Sequence, residues 1–264
     1  MRRIFVLGLA VLLLSGPSAL PQNNTNPVVR DVQAMSILTE ALNAAGGVAP
    51  IAAIQSYSAG GTISYFWAGQ EVHGTVAIRS GGLERFRLDA TLPDGLRSVV
   101  ANHEGGFVKE WDGREKSIPY PTAVSLGANT LPLLHLLAAL QDSSTSIKYA
   151  GLVSHSEQQA YEIRIQRHYS SSDDPSGQLG RLTEKAVFVE PGTLQVIGIR
   201  DAAYAMGNAS VGHSHELEFS NFKQVGQIIA PFSISETLEG QRAMVIELNQ
   251  ITFNANSTDS DFQP

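Results

Sequence analysis

Apolar residues recur every three or four positions at Val32, Met35, Leu38, Leu42 and Ala45, a spacing that predicts an amphipathic helix over 32–45. Asp31 supplies an N-cap and Gly46-Gly47 a stop, and a shorter helical turn follows near Pro50 to Ile54. From Tyr57 the period changes to two. Ile63, Tyr65 and Trp67 share one face, then Val72, Gly74, Val76 and Ile78, then Phe86, Leu88, Ala90 and Leu92, the alternation of half-buried antiparallel strands. Turn residues punctuate these runs at Gly69, Gly81-Gly82, Pro93-Asp94-Gly95, Gly105-Gly106 and Asp112-Gly113, and later at Pro191-Gly192, Gly226 and Glu239-Gly240. Short strands in such close succession form a meander.

One stretch interrupts the alternation. Between Leu126 and Leu140 lie Leu131, Leu133, Leu134, Leu136 and Leu137, with His135 the main polar residue, and Pro132 suits the first turn of an apolar helix. Strands are expected again over 146–156, 159–168, 182–190, 194–201, 214–223, 228–238 and 243–253, with a polar loop over 170–177. The reading is α+β, mainly antiparallel β, with about ten to twelve strands and two or three helices. So large a sheet must curl or close, and its apolar face beside a Leu-rich helix makes one hydrophobic compartment over 31–264.

The start of the chain has a different character. Arg2 and Arg3 precede an apolar run from Ile4 to Leu14 and the small stretch Ser15 to Ala19, the order of a secretory signal peptide over 1–19. Eleven helical residues reach roughly 16 Å, about half of a hydrocarbon core roughly 30 Å thick, so the run suits export better than anchoring. A polar linker is expected over 20–30. With no cysteine the chain can form no disulfide and offers no lipobox cysteine for acylation. Removing the two leader arginines takes the net charge from −7 to −9, which disfavours nucleic acid and anionic membranes as partners held by charge.

Catalytic patterns are sparse. His213 and His215 alternate onto one side of a strand, with Glu218 off their face and no third ligand spaced to help. His103-Glu104 falls in a turn, and His73, His135, His155 and His168 stand alone in the sequence. Neither a nucleophile elbow nor a phosphate-binding loop occurs. Ser154 and His155 are strand neighbours facing opposite ways, while Asp173-Asp174 and Asp259 with Asp261 sit in polar loops. The expectation is a non-enzymatic protein with no catalytic residue, metal or cofactor.

In the C-terminal third, Leu217-Glu218-Phe219-Ser220-Asn221-Phe222, Gly226, Pro231-Phe232-Ser233-Ile234, the run from Ile246 to Asn254 and the ending Asp259-Ser260-Asp261-Phe262 follow one another. In that order they resemble the LolA-like periplasmic carriers of bacterial lipoproteins, and the opening helix, meander and mid-chain helix agree over residues 36–262. The resemblance implies a strongly curved, incomplete β-barrel whose concave face is covered by helices, with a cavity for acyl chains. Candidates for its lining, read from the alternating apolar positions, are Ile63, Tyr65, Trp67, Val76, Ile78, Phe86 and Leu88 on the sheet and Leu134 and Leu137 on the helix, with Phe107 added from an apolar strand similar to the family's. Arg79 falls near the cavity-mouth arginine of the family's carriers, although an ungapped match puts Ser80 there. The implied protein is a monomeric carrier or chaperone in the periplasm, binding a lipid or acylated protein and meeting inner- and outer-membrane proteins transiently. The alternatives are an envelope sensor or protein-interaction module on the same fold and, further off, a hydrolase with a dispersed site.

Overall fold

The computed structural model describes residues 27–83, 85–102, 105–118, 130–205 and 208–263; the expected leader, most of the linker, and His103 and Glu104 lie outside the described residues. Helix α1 (Val32–Ala44) starts where sequence spacing predicts, with the Asp31 carboxylate accepting from the Ala34 amide at 2.9 Å. A single turn, α2 (Val48–Ala52), follows. The apolar helix α3 (Pro132–Gln141) begins on its proline.

Six strands then run as an antiparallel meander: β1 (Tyr57–Trp67), β2 (Gln70–Gly81), β3 (Arg85–Leu92), β4 (Gly95–Asn102), β5 (Gly105–Lys109) and β6 (Glu115–Ile118). After α3 come β7 (Thr145–His155) and β8 (Gln158–Arg167), the short helix α4 (Gln178–Leu182), and β9 (Lys185–Val189), β10 (Val196–Ala205) and β11 (Asn208–Ser220). The last strands are β12 (Lys223–Val225), β13 (Ile228–Ala230), β14 (Ser233–Leu238) and β15 (Gln241–Phe253), before a 3-10 turn at Asp259–Phe262.

Thirteen strands form one open sheet in the order β6-β5-β4-β3-β2-β1-β15-β14-β11-β10-β9-β8-β7, and β12 with β13 makes a separate hairpin. The sheet is curved and unclosed. The total of fifteen among the described residues exceeds the ten to twelve expected. The excess arises in part at Pro231 and Phe232, where the single strand expected over 228–238 divides into β13 and β14, because proline cannot donate to a ladder. Likewise the expected strand over 182–190 begins with α4, whose Gln178 and Gly180 amides donate to the Asp174 carboxylate at 2.8 and 2.9 Å.

The first and last strands of the sheet meet at its centre. Tyr57 of β1 pairs with Phe253 of β15 and Tyr65 with Met244, with a bulge between Gly60 and Gly61. One buried apolar cluster joins α1 (Ala34, Leu38, Leu42) and α3 (Leu133, Leu134, Leu136, Leu137) to inward residues of the sheet, so both helices cover the same face. The two helices pack on each other and on β7. Arg30, in the stretch expected to be linker, clamps this arrangement: its guanidinium donates to the carbonyls of Leu140 at 2.7 Å and Asp142 at 2.8 Å, closing the C-terminus of α3. No helix among the described residues is long and apolar enough to cross a membrane.

Candidate ligand-binding site

The helix-covered face holds most of the expected lining. Ile63, Tyr65, Val76, Ile78, Phe86, Leu88, Leu134 and Leu137 are all buried in the one apolar cluster. Trp67 lies on the same face at the end of β1, 36% exposed, and stacks on Tyr65 at 5.0 Å and against Trp111 at 5.1 Å. Phe107 lies elsewhere. It pairs with Val100 in the sheet and clusters with Val100 and Phe262 on the opposite face, under the 3-10 turn.

Arg79 also points away from the helices, because Ile78 and Ser80 take the buried side of β2. Its guanidinium is 3.9 Å from the carboxylates of both Asp89 and Asp261. Neighbouring Arg87 donates to the carbonyls of Asp261 at 3.3 Å and Gln263 at 3.1 Å, so these arginines hold the C-terminal turn rather than a cavity mouth. A crevice lined by Ala41, Ala45, Pro132, Leu133, Val196, Phe222 and Pro231, among others, has room of about 10 Å³, the scale of one water.

Charge lies on this same face. His215 of β11 sits between two carboxylates, its Nδ1 2.6 Å from Asp201 of β10 and its Nε2 3.0 Å from Glu236 of β14, while Lys185 of β9 also reaches Asp201. Burial opposes ionisation of His215, but the two carboxylate partners outweigh it and raise its pKa to about 9, so the ring is an imidazolium at neutral pH. Register places Glu236 opposite Met244 and Met244 opposite Tyr65, which carries the polar row onward. There Arg97 donates to the Tyr65 hydroxyl at 3.1 Å and pairs with Glu110 at 3.1 Å. The result is a charged and aromatic rim beside the apolar core. Sequence reading paired His215 with His213, yet His213 is directed to Glu239 at 3.2 Å. Lys185, Asp201 and Glu236 went unnoticed. Their signal was present: each is a charged residue at an inward position of its strand, in step with Val187, Ile199 and Ile234.

His135 of α3 has its Nε2 buried without a hydrogen-bond partner. Burial first, and the charge of Lys185 second, push its pKa down to about 3. A depressed value means stability that is present above the unfolded value of 6.5 and lost as pH falls toward 3. His135→Leu is therefore expected to raise the unfolding free energy by about 1 kcal/mol at pH 7, where an unpaired polar atom is removed, and by more at pH 4. Urea midpoints of the two proteins at both pH values check this.

An open, curved antiparallel sheet with helices along one face is the LolA-like fold. The chain is similar to the LolA superfamily protein of Nitrosomonas europaea, with a TM-score of 0.53 and 12% identity over 88% of this chain and 97% of that one. It is likewise similar to a Vibrio parahaemolyticus domain named for outer-membrane lipoprotein sorting, with a TM-score of 0.51 and 10% identity over 87% and 96% of the two chains. At such identities the likeness is one of fold. No family model matches the chain, and no curated protein does.

Proposed function

We propose that the protein is a non-enzymatic periplasmic carrier or chaperone that takes a lipid, or the acyl chains of a lipidated protein, between α1, α3 and the sheet. The observation that carries this reading is the single apolar core joining Leu134 and Leu137 to Ile63, Val76, Ile78, Phe86 and Leu88, in a fold shared with a protein named for lipoprotein sorting. Each methylene moved from water into such surroundings contributes about 0.8 kcal/mol, so one acyl chain supplies several. Ligand pockets of that kind hold roughly 300 Å³ or more, so a ligand entering at that crevice displaces α1 and α3 from the sheet. The rim of Arg97, Lys185 and His215 then faces the polar end of the ligand, the part first assigned to Arg79. Residues 1–19 serve export and 20–30 the connection to a carrier body over 31–264, which acts as a monomer and hands its ligand between inner- and outer-membrane proteins.

Native mass spectrometry with lipid extraction, on protein released from the envelope of its own host, tests the proposal. Stoichiometric co-purifying lipid is the expected result. A consistently empty protein that captures one membrane protein instead overturns it in favour of a sensor.

A further inference from the structure

On the opposite face, far from the proposed lining, a second group of chemically capable side chains converges. His155 closes β7 at the tip of the β7–β8 hairpin, whose two loop residues, Ser156 and Glu157, both have positive φ, 47° and 67°. The tip reaches over β9 and β10, where the His155 ring stacks on Phe188 at 4.0 Å. Gly198 of β10 makes this approach possible, since a Cβ there would lie 2.4 Å from the imidazole Nε2. The side chain of His155 is 1% exposed, and neither ring nitrogen has a hydrogen-bond partner. Orphaned nitrogens on so deeply buried a ring are costly, which asks what else they serve.

We infer that His155 Nδ1, Glu216 and Glu218 form a binding site for one zinc-like divalent cation that ties the β7–β8 hairpin tip to β11. The ligand atoms of these three residues lie within 4.8 Å of one another. His155 Nδ1 is 3.3 Å from Glu216 Oε1, yet off the line of any N–H bond. Two ligands flanking a tetrahedral ion at bonds of about 2.0–2.1 Å stand about 3.3 Å apart, so this separation leaves the two atoms placed to share one ion. Imidazole nitrogen with carboxylate oxygen suits zinc better than calcium or magnesium, and a water completes the fourth position.

Each carboxylate is oriented from behind. Arg200 donates to the other oxygen of Glu216 at 2.7 Å, leaving Oε1 toward His155, and the Ser156 hydroxyl donates to Glu218. Such outer contacts fix ligating side chains in place. With the ring neutral, Glu216 and Glu218 against Arg200 leave a net charge of about −1, which favours a dication.

Titration calorimetry of the whole mature protein with zinc chloride at pH 7.5, after chelator treatment, tests the site. The expected result is one zinc per chain in the wild type, a fall in affinity of about 100-fold in Glu218→Gln, a similar fall in Glu216→Gln, and no change in His213→Ala. Both glutamates are partly exposed, so the amide variants are expected to fold, and circular dichroism verifies it. Zinc is also expected to raise the melting temperature of the wild type and not of Glu218→Gln. Absence of saturable zinc binding in the wild type, or zinc binding as tight as the wild type's in folded Glu216→Gln and Glu218→Gln, overturns the assignment.

Discussion

Asp201→Ala lowers the unfolding free energy by about 3–5 kcal/mol, the scale set by removing one member of a buried ionic group. Four charges share that group, Lys185 and His215 against Asp201 and Glu236, and the variant leaves two cations facing one carboxylate. Burial works against the Asp201 carboxylate, but Lys185 and His215 overcome it and hold its pKa well below the usual range. Its contribution is present above the unfolded value near 3.8 and is lost as pH falls through the folded one. His215 has the opposite sign: raised to about 9, it adds stability that is complete below 6.5 and disappears as pH climbs through 9. Losing Asp201 should therefore flatten the alkaline limb of the stability curve as well. Denaturant titrations at pH 6, 7.5 and 9, with the His215 ring followed by NMR, separate this from simple loss of packing. An unchanged His215 titration rejects the network.

Gly61→Val is the second large effect, a loss of about 3 kcal/mol or more. A Cβ on Gly61 would sit 2.1 Å from the Glu247 carbonyl oxygen and 2.8 Å from Leu248 Cα, and backbone on the facing strand cannot swing aside as a side chain can. The adjacent Gly60 offers a control, since a Cβ there meets only the Gln250 side chain, at 3.2 Å. Gly60→Ala should cost less than about 1 kcal/mol. Hydrogen exchange distinguishes the two, with protection of β1 and β15 amides falling in Gly61→Val and holding in Gly60→Ala.

Much of the fold was legible in the sequence because its rules are local. A period of two needs only near neighbours, and it placed Ile63, Val76, Ile78 and Leu88 on one face, where they are found. The same period already sent Arg79 to the other face, between inward Ile78 and Ser80. Resemblance to the family overrode that local signal. Phe107 was harder, since Val108 beside it is also apolar and both faces of β5 are covered, one by the core and one by Phe262. Illegible in principle were the meetings set by register and sheet order. Lys185, Asp201, His215 and Glu236 lie on four strands, and His155 reaches Glu216 only because a hairpin tip folds across two others. His155 stood alone in the sequence for that reason.

The pairing of β1 with β15 also governs how the molecule is made. A ribosome delivers Tyr57 about 200 residues before its partner Phe253, while every other neighbour in the meander forms within its own half. Contacts between such distant parts of a chain form slowly. During that interval β1 and β14 are bare edges in addition to β6 and β7, each able to recruit another molecule. Holding factors are thus needed most between the emergence of β1 and that of β15, and a chain stopped before Gln241 would need them permanently.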